Sequence, residues 1–511
     1  MTTEALPPTA AELMEGAFCS LPDLIAAHAR TQPDKQALVG EDATLDYAAL
    51  DAAMNRIAAT LQAASIAKGT PIAMVGSNSA ALATLFLGAL RAGCVPTPLA
   101  PSSAADQIAA MVADCGSPML FTDEAAHAAL VDTVLSVPQQ RLADLDSWAS
   151  AASPPAPVAI APGDPFNIIY SSGTTGTPKG IVQPHVMRWA QLSRSNFNGA
   201  VTMIATPLYS NTTLVSFLPT LAWGGTAVLM KKFDARRFLE LAEANRATHA
   251  MLVPVQYARI MALPDFDAFD LSSFVLKTCT SAPFSAALKA DIVARWPGLL
   301  VEYYGMTEGG GTTLLICNQF PYKLATVGRP IEGHDIRLID DDGVEVDAGE
   351  VGEVVGRSPA MMSGYFGRKE ASTAAEWFDT DGNRFIRHGD VGRFDEDGFL
   401  TLLDRKKDLI ISGGFNIYPS DLEAILATHP EVADCTVVGM PSEAWGETPM
   451  GFYVARADAQ DDAAAILGWF NDRVGKTQRL SDLKRLDDLP RSAIGKVLKR
   501  ELRDRFQGAD A

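Results

Sequence analysis

The segment Tyr170-Ser-Ser-Gly-Thr-Thr-Gly-Thr-Pro-Lys-Gly180 gathers the side chains of a phosphate site into one short loop. Gly173 and Gly176 let backbone N–H groups turn toward an anion. Ser171, Ser172, Thr174, Thr175 and Thr177 add hydroxyl donors, and Lys179 adds charge. Nucleotide phosphate is the natural ligand of such a set, although a flexible Gly/Ser/Thr turn has the same composition. Lys179 follows Pro178 and precedes Gly180, so the loop lacks the spacing of a Walker loop, and a P-loop kinase or NTPase is contradicted. A second cluster, Glu302-Tyr-Tyr-Gly-Met-Thr-Glu308, runs into Gly309-Gly310-Gly311. Thr307 can donate to a phosphate oxygen, and Glu308 can hold a Mg²⁺ that bridges phosphates. By itself a Thr-Glu pair after a strand also reads as a helix cap.

Elements that could carry these groups alternate along the chain. Leu21 to Ala29 and Tyr47 to Ala64 space apolar residues as helices do, while Pro71–Val75 and Cys94–Pro98 read as strands. A Pro/Ala-rich stretch from Ala151 to Pro162 predicts a surface linker before the strand Phe166–Tyr170. Further strands are expected at Thr226–Met230, Ala250–Val253, Val275–Thr278 and Leu299–Tyr303, which makes parallel α/β layers the expected architecture. After about Pro330 the texture changes. Asp341-Asp342-Gly343, Asp381-Gly382 and Asp397-Gly398 mark antiparallel hairpins, hence a β-rich subdomain. The charge run Asp404-Arg405-Lys406-Lys407-Asp408 precedes Ile410-Ile411-Ser412-Gly413-Gly414, a capped helix at Ser420–Thr428 and a strand at Asp434–Gly439. The expected fold is α/β: a large N-terminal domain over residues 1–405 and a small mobile α+β C-terminal domain over 406–511.

Composition narrows the partners. The 511 residues hold 42 Lys+Arg against 61 Asp+Glu, a formal charge of −19 that disfavours nucleic acid and anionic membranes. A chain this long exceeds the roughly 250–300 residues of a single core, so two or more domains are expected. The first 29 residues contain no Lys or Arg, which fails the pattern of a secretory signal. The six cysteines are scattered singly, favouring reduced thiols and a cytoplasmic protein over disulfides or a zinc site. Ser195 to Met230 carries no charge, yet Asn196, Asn198, Pro207, Asn211, Pro219 and Gly224-Gly225 interrupt it; a buried strand, helix and strand is expected rather than a membrane span. Against the acidic background, Asp472 to Arg505 holds eleven Lys+Arg and six Asp+Glu, a local excess of +5 that would attract small polyanions.

The two clusters occur in order with His388-Gly389-Asp390, the 404–408 charge run, Ser412-Gly413-Gly414 and Pro490-Arg491-Ser492-Ala493-Ile494-Gly495-Lys496. Over about Leu21 to Arg503 this set resembles the AMP-forming adenylating ligases: acyl-CoA synthetases, luciferases and peptide-synthetase adenylation domains. The resemblance implies that a carboxylate attacks the α-phosphorus of ATP to give acyl-AMP and pyrophosphate, after which a thiol, usually that of CoA, displaces AMP. Carried over residue by residue, Ser171 to Lys179 would hold the β- and γ-phosphates. Tyr304 and Gly305 would line the adenine, with Ser281-Ala282-Pro283 as the other wall. Thr307 would meet the α-phosphate and Glu308 the Mg²⁺. Asp390 would take the ribose hydroxyls, with Arg405 beside it. Lys496 would stabilise charge where the carboxylate meets the α-phosphate. The small domain would then rotate about Lys407, withdraw Lys496 and present Ser412-Gly413-Gly414 to the thiol.

The acid pocket is expected near Tyr209, Ser210, Asn211, Thr213, Val253, Gln256, Gly309 and Gly310. Amino-acid activators of the family carry Asp where this chain has Ser210, and many acyl-CoA ligases carry His there. An α-amino acid would bury its ammonium without a partner, so a neutral tail is favoured. An aromatic or arylalkenoic acid is the first expectation and a medium-chain fatty acid the second. Other departures are His388 in place of the usual Thr, and Glu302 where an amide or small residue is common. Trp445-Gly446-Glu447 resembles a motif beside the pantetheine channel of CoA ligases. With fifteen residues after Lys496, no carrier domain is expected on the chain. CoA is therefore the expected acceptor and a free-standing acyl carrier protein the alternative. A non-catalytic AMP or acyl-AMP sensor would lack Lys496 or Glu308, and both are present. A luciferase-like oxygenation finds no specific support, and a homodimer stays open.

Overall fold

The computed structural model describes residues 7–151, 153–171, 179–412, 415–442, 445–456, 459, 462–492 and 495–507. Two compact units form: one from Met1–Leu324, Pro330–Asp335 and Gly356–Ile386, the other from Ala325–Arg329, Ile336–Val355 and Arg387–Ala511. Among the described residues no helix is long and apolar enough to cross a membrane.

The first unit is built on parallel strands. Its main sheet includes, in order, Thr313–Ile316, Leu299–Tyr304, Leu276–Cys279, His249–Leu252, Val201–Ile204, Thr226–Leu229, Gln36–Val39 and Thr44–Asp46. The six strands from Leu299–Tyr304 to Gln36–Val39 are parallel, and Thr313–Ile316 and Thr44–Asp46 pair antiparallel with them. Strands buried on both faces are mostly apolar, which fits the uncharged run. It folds as the strand Val201–Ile204, the helix Asn211–Ala222 and the strand Thr226–Leu229, all largely buried, as its composition led one to expect. Helices Tyr47–Ala63 and Ala80–Arg91 pack closely because Gly88 has no Cβ; one there would lie 2.7 Å from Ile57. A second, wholly parallel sheet orders Val95–Leu99, Pro71–Val75, Leu120–Thr122 and Gln139–Arg141 under the helix Ala105–Cys115. A third joins Pro165–Ser171, Lys179–Pro184 and Gly364–Tyr365, all antiparallel. This small sheet carries the predicted phosphate loop between its first two strands.

The second unit is antiparallel where the turn signals suggested. Gly343 and Gly398 take φ of +81° and +77°, a conformation that glycine adopts without a side-chain clash. Asp340 and Asp395 hold these turns by accepting backbone N–H groups two and four residues on. Its C-terminal sheet orders Phe415–Ile417, Ile410–Ser412, Gly446–Ala455 and Val432–Ser442, with Leu483–Arg485 added in parallel. The helix expected at Ser420–Thr428 is Pro419–Leu426, and its cap differs from expectation. Tyr418 precedes it without a side-chain cap, while Asp404 accepts the Ser420 N–H at 3.0 Å. The helix start is thus satisfied by the charge run, across sixteen residues of chain. All six cysteines are free, five of them buried.

One departure noted in the sequence has a structural reason. Glu302 and Lys289 form an ion pair and are 4% and 1% exposed, and Lys289 also donates to the Leu324 carbonyl at 2.7 Å. Burial pushes the Glu302 carboxyl up to about 7, against the pull of Lys289. Removing one partner strands the other charge. Lys289→Met is expected to lower stability by about 3–5 kcal/mol, whereas Lys289→Met combined with Glu302→Gln recovers much of that loss. Urea unfolding of the two variants checks this, and equal losses would contradict it.

Candidate active site

In the first unit, Lys179 opens the strand that leaves the predicted phosphate loop. Ser172, Gly173, Thr174, Thr175, Gly176 and Thr177 lie outside the described residues. Gly364–Tyr365 adds to this strand, with Tyr365 opposite Ile181 and the Phe366 N–H donating to the Gly180 carbonyl at 2.7 Å. That pairing puts the Lys179 ammonium 5.2 Å above the Tyr365 ring. The Tyr365 hydroxyl in turn donates to Glu308 Oε1 at 2.9 Å. Burial pushes the Tyr365 phenol well up, and the Glu308 charge adds to the effect, so the phenol is a donor at neutral pH. The Met362 N–H donates to the Glu308 carbonyl at 2.8 Å, and Gly309 bridges to Met361. A Cβ on Gly309 would stand 2.0 Å from the Ala360 carbonyl, and its φ of +82° also requires glycine. Loop lysine and acidic residue, 129 positions apart in sequence, share one tyrosine. Tyr365 was not singled out in the sequence, because strand addition creates the meeting and no local spacing records it.

Tyr304 ends its strand buried, paired with Thr313, and Gly305 follows it. Ser281, just past the strand Leu276–Cys279, takes a φ of +84°, a strained conformation for a residue with a side chain. Its hydroxyl lies 2.5 Å from that of Thr212, which fixes the start of the Ser281-Ala282-Pro283 wall to the helix Asn211–Ala222. That helix begins among the residues expected to line the acid pocket. Ser210 is its N-cap, accepting from the Thr212 N–H at 3.2 Å. Thr213 is fully buried and donates to Thr206 and Pro207. Val253 caps the helix Pro254–Met261, where Gln256 accepts the Val253 N–H and donates to Ala205. Burial pushes the Tyr209 phenol up to about 12, with the Ser102 hydroxyl pulling the other way. Tyr209, Ser210, Asn211, Thr213, Val253 and Gln256 thus sit at the starts of two helices, and none of them is charged.

Thr307 and Gly310 also belong to the first unit, whereas Asp390, Arg405, Lys407, Ser412, Trp445 and Lys496 lie in the second. Asp390 pairs with Arg405 across adjacent strands, Oδ1 to Nε at 2.9 Å, and is 12% exposed at its side chain. Burial holds His388 neutral, lowering its imidazole to about 4 against the attraction of Asp390. The charge run is distributed among several elements: Asp404 caps a helix, Arg405 takes Asp390, and Lys406 binds Glu353 at 3.0 Å and Asp341 at 2.8 Å. Lys407 lies exposed in the 3₁₀ turn Lys406–Asp408. Ser412 is buried and pairs with Gly446, beside Trp445 at 44% exposure. Gly413 and Gly414 lie outside the described residues. Lys496 is exposed on a tight turn in which Ser492 and Lys496 exchange hydrogen bonds and Arg491 bridges to Val497. Arg491 anchors that turn through Asp434 at 2.5 Å.

Known proteins place this geometry in context. The family model for AMP-binding enzymes matches residues 25–366, and that for the AMP-binding enzyme C-terminal domain matches 421–496. A feruloyl-CoA synthase from Amycolatopsis is 33% identical, over 94% of this chain and 97% of its own. A fatty acid–[acyl-carrier-protein] ligase, ScoC, from Streptomyces coeruleorubidus is 30% identical, over 95% and 96%. The crystal structure of ATP-bound MatB from Rhodopseudomonas palustris superposes with a TM-score of 0.84 at 27% identity, covering 96% of this chain and all of that one.

Tyr365→Phe keeps the ring under Lys179 and removes the donor to Glu308. A lost hydrogen bond to a charged group is worth about 1.5 kcal/mol or more, so ATP binding in Mg²⁺ buffer should weaken roughly tenfold by calorimetry. Tyr365→Leu, losing the ring as well, should weaken it further. Unaltered binding in both would detach the tyrosine from the phosphate site.

Proposed function

The chain belongs to the AMP-binding enzyme family and is an AMP-forming acid–thiol ligase; from that premise we propose that it joins an aromatic or arylalkenoic acid, or a medium-chain fatty acid, to coenzyme A. The observation that carries the reading is the shared tyrosine, which brings the loop lysine and the acidic residue of the two signature clusters to one place.

Lys179 and the Ser171–Thr177 loop take the β- and γ-phosphates, Thr307 the α-phosphate, and Asp390, held by Arg405, the ribose hydroxyls. Tyr304 and Gly305 face the adenine against Ser281-Ala282-Pro283. Glu308 suits Mg²⁺, a hard ion that is bound through one or two carboxylates with phosphate and water completing its shell. One of its oxygens is held by Tyr365, which fixes the carboxylate. The ion supplies charge neutralisation to the phosphates. Lys496 stabilises the charge that builds where the acid oxygen approaches the α-phosphorus. It belongs to a small domain beginning near residue 406 that turns about Lys407, after which Ser412-Gly413-Gly414 and Trp445 serve the thiol. An uncharged acid side, with Ser210 spent on capping a helix, supports a neutral tail over an α-amino acid. The relatives include both a CoA synthase and a carrier-protein ligase; the exposed Trp445, next in the chain to the Gly446 that pairs with Ser412, supports CoA. Six unpaired thiols suit the cytoplasm.

A panel of aryl, arylalkenoic and C6–C12 acids, followed by pyrophosphate release with and without CoA, tests substrate and acceptor together. Acid-dependent release with a CoA thioester as product is expected. Turnover only with a phosphopantetheinylated carrier protein would transfer the acceptor to that class, and silence with every acid would favour a sensor. Lys496→Ala should lose acyl-AMP formation by about a hundredfold or more, yet still convert supplied acyl-AMP to thioester. Equal loss in both half-reactions would remove domain alternation from the mechanism.

A further inference from the structure

A buried polar chain runs beneath the predicted site. Asn167 and Gln183 face each other across the hairpin that carries the phosphate loop, both fully buried, and Arg188 on the helix His185–Leu192 reaches them at 2% exposure. Arg188 Nε and Nη2 donate to Asn167 Oδ1 at 3.3 and 3.2 Å, Nη2 also donates to Gln183 Oε1, and Nη1 to Gln191 Oε1 at 3.4 Å. Every acceptor is a neutral amide oxygen, and among the described residues no carboxylate pairs with this guanidinium. Burial pushes its pKa down to about 9. A charge kept inside without a counter-ion is costly, so its place in the interior calls for a compensating role.

That role lies in the amide it grips. An amide has one acceptor end and one donor end. With Oε1 turned to a cation that can only donate, Gln183 Nε2 must face the other way. There it donates to the Thr307 carbonyl at 2.7 Å and to Asn211 Oδ1 at 3.3 Å. One side chain therefore ties the residue assigned to the α-phosphate to the first residue of the acid-side helix. We propose that Gln183, oriented by Arg188, is a positioning residue that sets Thr307 and the acid-side helix relative to each other for the adenylating half-reaction. The inference rests on the roles given to Thr307 and Asn211 above.

Gln183→Glu tests it, because the change keeps the size, hands Arg188 a carboxylate and deletes the Nε2 donor. The expected result is an unfolding midpoint no lower than that of the parent chain. Acid-dependent pyrophosphate release should fall at least tenfold in kcat, with the KM for ATP moving less than threefold. Thioester formation from supplied acyl-AMP should stay within twofold. The double variant Gln183→Leu/Arg188→Leu, which removes the buried charge altogether, should show the same split. Unchanged adenylation, or equal loss in both half-reactions, overturns the proposal, as does loss of cooperative unfolding in both variants, which would make the network a folding element only. A parent chain silent with every acid would sink the functional reading, and this inference with it; an active parent unmoved by the variants sinks this inference alone.

Discussion

The hydrogen bond from Tyr365 to Glu308 depends on a strand pairing, and so does the approach of Lys179 to the same tyrosine. Two residues, Gly364 and Tyr365, add antiparallel to the strand that begins with Lys179. That addition brings an aromatic face under the lysine and a phenol against the carboxylate. The tyrosine thus lies between a cation and an anion: its face attracts the one while its hydroxyl donates to the other. Gly309, which admits no Cβ, then lets the following chain pass close to Met361.

Buried polar groups elsewhere follow the same economy of partners. Lys289 and Glu302 satisfy each other inside the first unit. Arg188 lies over the Phe166 ring and, among the described residues, donates to amide oxygens, and so it fixes which way one amide points. Lys277, fully buried, donates to three carbonyls at the end of a helix and, pushed down to about 7 by burial, has no need of a carboxylate. In each case an interior charge sets the geometry of a neighbour, because in a poorly screened interior an unmet donor or acceptor costs more than a constrained one.

The charge run at 404–408 shows what one-dimensional reading misses. As a string it resembles solvated surface. Folded, three successive residues reach a helix start, a strand partner and two further carboxylates, leaving Lys407 exposed on a short turn. Pairing of this kind depends on which strands lie side by side, and no spacing within the run encodes it. The cap of the helix Pro419–Leu426 follows the same rule: its acceptor comes from Asp404 rather than from a neighbouring residue.

By itself the sequence determined the α/β class, several of the strands and helices in the first 320 residues, and the buried strand, helix and strand within the uncharged 195–230 run. Those are local facts, carried by apolar periodicity and glycine at turns. The family membership was legible too, since its motifs are contiguous. Only the tertiary structure decided that Tyr365 joins Lys179 to Glu308, that Ser281 is held in a strained backbone by Thr212, and that Gln183 links Thr307 to Asn211. Each of these joins residues at least 28 positions apart. Such contacts are set by strand addition and layer packing, and the free energy that selects them belongs to the folded core as a whole, so no window of sequence contains it.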